Sequence, residues 1–182
     1  MFFIPGVIIS VITFPGVMVH ELAHQLFCRL FGLAVFEVKY FGVENPAGYV
    51  IHEPPKSILQ NVVISTGPFL VNTLIGSLIA CPAAISLLKF KSSSQGPMIL
   101  IEYVLLWLGV SVAMHAFPST GDAKSIWEEL KRKETPIFYK IIITPIVGII
   151  YLGAAGSMFW LDIIYGIAVA ALIPNILIRI FT

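Results

Sequence analysis

Long apolar runs decide most of what this chain can become. A helix needs about 20 apolar residues to cross a bilayer, and the mostly apolar stretches 3–31, 58–88, 97–117 and 137–181 each reach or exceed that length. Only short polar segments separate them. With 58% hydrophobic residues, 12% charged residues and a mean hydropathy of +0.94, the 182-residue chain has too little polar surface to cover a water-soluble globule. The lipid bilayer is therefore its expected partner. A net charge of +1 supplies no basic face for nucleic acid, which is dropped as a partner. Cys28 and Cys81 lie in apolar segments without a Cys-x-x-Cys spacing, so neither a disulfide framework nor a zinc knuckle is expected.

The first run, 3–31, is punctuated by Pro5-Gly6 and Pro15-Gly16 and reads as one tilted or kinked span. It has no basic leader and no small-residue cleavage site, so it is expected to belong to the mature protein and not to a signal peptide. The second, 58–88, contains Gly67-Pro68 and Cys81-Pro82 and leads into a polar turn at 89–96; the third returns at 97–117. The last run has room for two spans, with 153–156 as the reversal. Within the polar stretch 119–135, Ile126, Trp127 and Leu130 recur at helical spacing, which predicts a short amphipathic helix on the membrane surface. Residues 32–57 alternate apolar and polar positions around Val35, Glu37, Val38 and Lys39 and then carry Asn45-Pro46 and Gly48, the pattern of a β-hairpin.

The expected fold class is thus an all-α polytopic membrane protein of about five transmembrane helices. A short β-hairpin lies between the first two, and a short amphipathic surface helix follows the third. The whole of 1–182 reads as one domain, with a core at 1–125 and C-terminal helices at 126–182. On this layout Arg29, Lys39, Lys56, Lys124, Lys131, Arg132, Lys133, Lys140 and Arg179 share one side, and Lys89 and Lys91 the other. The positive-inside rule puts the larger group in the cytosol and the amino terminus outside.

Embedded in the first apolar run is His20-Glu21-Leu22-Ala23-His24. Histidines at i and i+4 project from one helical face and can both reach a tetrahedral Zn²⁺, and the Glu between them can take a proton from water at the metal. Two imidazoles and a carboxylate in an apolar helix are costly unless they face partners, so they mark a functional site. On the expected topology they lie roughly 10–16 Å from the cytosolic helix end, at 1.5 Å per residue. A catalytic zinc needs a third protein ligand and an open position. Asp122 is one candidate and His115 a competitor, and Asp122 has an alternative role as the cap of a helix over 123–133. Cys28, one turn after His24, reads as a small packed hydrophobe. The lone acids Glu102 and Asp162 read as interfacial.

Three segments together give the chain a family likeness. His20-Glu21-Leu22-Ala23-His24, then Gly67-Pro68-Phe69-Leu70-Val71-Asn72, then His115-Ala116-Phe117-Pro118 followed by Asp122 resemble, in order and spacing, the site-2 protease family of intramembrane metalloproteases. Residues 32–50 are similar to the membrane-associated β-loop of that family, and the likeness extends over 1 to about 125. Two departures stand out: His115 occupies a position where the family carries Asn, and Ala123 follows Asp122 in place of Gly. The segment from Pro118 to Asp122 is also short. The resemblance implies an intramembrane zinc endopeptidase in the cell membrane of a prokaryote. It implies His20, His24 and Asp122 as metal ligands, Glu21 as general base, His115 or Asn72 as donor to the tetrahedral oxyanion, and a transmembrane segment of another protein as substrate. Its site would open nearer the cytosol. Two rival readings are a membrane protein that binds or moves a metal ion without proteolysis, and a scaffold that has kept the fold and lost turnover.

Overall fold

The computed structural model describes residues 6–88 and 97–181. The polar turn expected at 89–96 and the first five residues, with Pro5 among them, lie outside the described residues. The chain is mostly helical with one antiparallel hairpin. In order come α1 (Gly6–Ile12), α2 (Phe14–Leu30), β1 (Val35–Lys39), β2 (Tyr49–His52), α3 (Ile58–Leu88), α4 (Pro97–Met114), α5 (Thr120–Leu130), α6 (Ile137–Gly156) and α7 (Leu161–Phe181).

Three helical segments are long and apolar enough to cross a membrane: Ile58–Ser86 of α3, Pro97–Met114 (α4), and Ile137–Phe159, in which α6 continues into a short 3-10 turn. Their outer faces carry Leu74, Leu78, Leu100, Ile141, Ile149 and Leu152, each more than half exposed, a surface suited to hydrocarbon and not to water. A fourth crossing exists if α1 and α2 are counted as one broken span, whereas the apolar stretch Leu161–Ile176 is shorter than the other three.

The first apolar run, expected as one tilted or kinked span, is not a continuous helix. It breaks at Thr13, where α1 and α2 meet at 89°. Pro15 has no N–H to return to Val11, and the Gly16 amide turns to Thr13 O at 3.0 Å. Backbone groups freed in this way must find partners where water is scarce, and α4 provides them. Trp107 Nε1 donates to Ile12 O at 3.2 Å. Ser111 Oγ donates to Thr13 O at 2.9 Å and accepts from Gly16 N at 3.2 Å. A second departure concerns the last turn: α6 continues through 153–156, and the break falls at Ser157–Phe159 and Trp160, whose φ is 65°.

The hairpin forms where alternation predicted it, pairing Glu37 with Ile51, Val38 with Val50 and Lys39 with Tyr49, with an irregularity between Val35 and Glu37. Tyr40 ties it to α2 by a 2.6 Å hydrogen bond from its hydroxyl to Gln25 Oε1. The amphipathic helix is also present as α5. Its buried face, Ala123, Ile126 and Leu130, packs with Ile58 of α3 and with Ile143, Val147 and Ile150 of α6. That seam fills the space between α3 and the following long helix.

The most extensive helix packing is between α3 and α4, and α4 also packs against α7 and α2. Small residues make the α3–α4 approach possible: a Cβ on Gly109 would lie 2.6 Å from Ala80 Cβ, 2.7 Å from Gly76 O and 2.8 Å from Ala80 N. Two of those three atoms are backbone and cannot swing aside. Close backbone approach through small residues is how helices associate where no hydrophobic force separates them from lipid. Gly109→Ala should therefore destabilise the bundle by about 1–3 kcal/mol, the usual cost of overpacking. Thermal unfolding of the purified protein in detergent measures this; an unchanged melting curve would show that α3 and α4 are not packed this closely.

Candidate metal centre

The site is built outward from α2. His20 and His24 are one turn apart on the same face, with ring centroids 4.8 Å apart and ring planes at 74°. Each ring is held from behind by a backbone carbonyl. His20 Nδ1 lies 2.7 Å from His115 O, and His24 Nδ1 lies 3.0 Å from Ile64 O. A carbonyl only accepts, so both Nδ1 atoms carry the proton, and in the neutral rings both Nε2 atoms are bare.

Those two bare nitrogens face each other at 3.1 Å. Two lone pairs at that distance repel unless a proton or a cation lies between them. Asp122 brings a third donor, with Oδ1 3.5 Å from His24 Nε2. His20, His24 and Asp122 form the one group of acidic, His and Cys side chains among the described residues able to hold a metal ion, with ligand atoms all within 4.8 Å of one another. A tetrahedron with ligand distances of about 2.0–2.1 Å has edges of about 3.3–3.4 Å. Two of the three separations bracket that edge and the third lies within 4.8 Å, so the group could hold a small divalent cation.

The carbonyl behind His24 is available because of one residue. In an α-helix Ile64 O would accept the N–H of residue 68, but residue 68 is Pro and has none. Pro68 sits inside α3 without ending it, and the freed carbonyl is taken by His24. Outer partners of this kind fix the tautomer and the direction of a metal-binding imidazole. Gly67-Pro68 and the histidine pair, two of the segments that carry the family likeness, thus meet in one hydrogen bond.

Asp122 sits in the first turn of α5, whose N-cap is Ser119. One carboxylate oxygen, Oδ2, accepts from Ser119 N at 2.7 Å and Ser119 Oγ at 2.6 Å, and Ser119 Oγ in turn accepts from Asp122 N at 3.2 Å. That reciprocal pair is a capping box. The other oxygen, Oδ1, is the one facing His24. Capping and facing the imidazole, posed as alternatives from the sequence, fall to different oxygens of the same group. The helix begins earlier than expected, so Asp122 occupies its third position and Ser119 the cap.

Glu21 is 9% exposed and lines the same cavity of about 850 Å³ as the two histidines and Asp122. The loop between the hairpin strands forms the opposite wall. There a Cβ on Gly48 would lie 2.6 Å from Glu21 Cγ and 3.0 Å from Glu21 Oε1, so only glycine lets the loop backbone rest on the carboxylate. Tyr49, also on that wall, donates its hydroxyl to Glu37, a bond that raises the phenol pKa above its ordinary value.

His115 and Asn72 hold the frame. His115 lines the cavity, its O receives His20, and its ring Nε2 lies 2.8 Å from Thr13 Oγ1. Thr13 Oγ1 spends its own proton on Ile9 O at 2.6 Å, so it accepts from His115 Nε2–H, which leaves Nδ1 of the neutral ring without a proton to donate. Asn72 is fully buried. Its Nδ2 lies 3.1–3.2 Å from the carbonyls of Gly16, Val112 and His115, which ties α2, α3 and the end of α4 together. Its Oδ1 has no hydrogen-bond partner, and Asn72 does not line the cavity. Cys28 is fully buried against Leu33 and Ile64. Asp162, read as interfacial, is a wall residue of the cavity.

No family model, curated protein or solved structure matches the chain. What the centre can do follows from its own donor set, tautomers and cavity. Sequence reasoning missed Ser119 and Ile64. A Ser three residues before Asp122 was a readable capping signal, whereas a carbonyl partner leaves no side-chain signature.

Pro68→Ala would return an amide to Ile64 O in competition with His24. Divalent-metal affinity should fall about 10-fold, the low end for losing an outer partner of a metal-binding histidine. Chelator competition on the purified protein measures it. Affinity equal to wild type would mean that the freed carbonyl does not orient His24.

Proposed function

We propose that this chain is a zinc-dependent intramembrane endopeptidase of the site-2 protease type, cleaving transmembrane segments of other membrane proteins. The observation that carries this reading is the convergence of two carbonyl-held imidazoles and one carboxylate oxygen on a single point, with Glu21 in the same cavity. The order of the three motifs in the sequence supports it further. In this reading α1–α2 and α7 join the three long helices as five crossings, with the basic loops and the cavity mouth toward the cytosol of a prokaryotic cell.

His20, His24 and Asp122 would hold the ion, which when bound would supply Lewis acidity and lower the pKa of water toward about 7. Glu21, pressed between α2 and the Gly48 backbone, accepts the proton of the attacking water and passes it to the leaving amine. His115 O keeps His20 in the tautomer that leaves Nε2 bare, and Asn72 holds that same carbonyl in place. The wall formed by residues 45–50 carries backbone groups beside Glu21 against which an unwound substrate segment can lie, since a helical peptide bond is shielded by its own hydrogen bonds.

Glu21→Gln should retain one zinc per chain and lose cleavage of a model transmembrane substrate by about 10²–10⁴-fold, the usual share of general acid–base catalysis. Asp122→Ala should lower both zinc content and cleavage. Zinc analysis and gel-based cleavage in proteoliposomes give the two readouts. Undiminished cleavage by Glu21→Gln would remove Glu21 as base. Tight zinc binding by wild type without any cleavage would favour a metal-binding protein over a protease.

A further inference from the structure

Asp122 differs from the two histidines in what carries it. They ride on α2, a helix of the bundle, whereas Asp122 rides on an 11-residue surface helix. A ligand on a short helix is only as well placed as that helix is docked. Apolar packing through Ile126 and Leu130 fixes the depth of α5 but resists sliding and rotation poorly, because apolar contacts are non-directional.

Among the described residues, the hydrogen bonds between α3 and α5 come from one side chain of α3. Asn61, in the first turn of α3 and 4% exposed, reaches across to α5. Its Nδ2 lies 2.8 Å from Glu129 Oε2 and 3.3 Å from Ser125 O, and its Oδ1 accepts from Ser125 Oγ at 3.2 Å and from Ser65 Oγ at 3.3 Å. Two donors and two acceptor sites are all an amide has, and all four are used. Asp122, Ser125 and Glu129 stand at i, i+3 and i+7 of α5, hence on one face. On the facing side of α3, Asn61 and Ser65 flank Ile64, whose carbonyl holds His24. Little more than one turn of α3 therefore grips both the second imidazole and the helix that brings in the carboxylate.

We propose that Asn61 is a positioning residue for the metal centre: by locking Ser125 and Glu129 it sets the register of α5 on α3 and thereby holds Asp122 Oδ1 against His24 Nε2. This rests on the metal-centre reading above. It assigns Asn61 no contact with substrate or metal, and its whole effect passes through Asp122.

A double-mutant cycle with zinc alone as the probe tests it, on the purified full chain in detergent. Asn61→Ala should weaken zinc binding by about 10–100-fold in the wild-type background, the range for outer partners of metal ligands. In the Asp122→Ala background the same substitution should change zinc affinity by less than about 2-fold, since the residue it acts through is gone. With Co²⁺ in place of zinc, Asn61→Ala should reproduce the weakened visible absorption of Asp122→Ala. Glu129→Ala should weaken zinc binding in the same direction, while Glu129→Gln, which keeps an acceptor for the Asn61 amide, should restore it; this pair carries the test if Asn61→Ala fails to fold. Equal losses in both backgrounds would reduce Asn61 to a general stabiliser and overturn the proposal, as would a wild-type affinity for Asn61→Ala. If the unmodified protein binds no zinc, the metal centre itself fails and this inference with it, whereas zinc bound normally by both wild type and Asn61→Ala removes only the role given to Asn61.

Discussion

The approach of two unprotonated imidazole nitrogens to 3.1 Å is the constraint around which the rest of the molecule is arranged. Left alone, the rings would turn apart or share an extra proton. Here neither can turn, because each is fastened at Nδ1 to a carbonyl of a different segment, one just past the end of α4 and one in the second turn of α3. A cation between them would satisfy both lone pairs, and Asp122 brings a carboxylate oxygen to the same point.

The surrounding bundle supplies those carbonyls by violating ordinary helix continuity in chosen places. A proline inside α3 frees one, and the end of α4 at Met114 frees the other. In lipid each such group would cost several kcal/mol if left alone. Each has a polar partner: His24 for Ile64 O, His20 and Asn72 for His115 O. The departures from regular helix and the polar side chains of the apolar bundle are therefore two halves of the same accounting of backbone donors and acceptors.

Much of this was legible in the sequence because it is periodic. The limits of α3 follow directly from the length of its apolar run, the hairpin from alternation around Val35, Glu37 and Lys39, and α5 from the spacing of Ile126 and Leu130. The histidine pair follows from 3.6-residue geometry. What could not be read is what depends on facing elements. Pro15-Gly16 and Gly67-Pro68 look alike as punctuation, yet one marks an 89° break and the other sits within an unbroken helix. At the first site Trp107 and Ser111, some 95 residues away, catch the freed groups, and at the second His24, 40 residues away, takes the freed carbonyl. Likewise nothing between Ile58 and Thr66 announces that Asn61 faces Ser125 and Glu129, since the pairing is between segments 64 and 68 residues apart.

The sharp corner at Thr13 has a mechanical consequence. A bend with unpaired backbone behaves as a joint, because little is lost when it flexes. This one has its polar groups crossed over to α4, with the Ser111 hydroxyl engaged at Thr13 and on α2 and the Trp107 indole on the last residue of α1. Straightening it would strand those groups in an oily surrounding, so the corner acts as a weld.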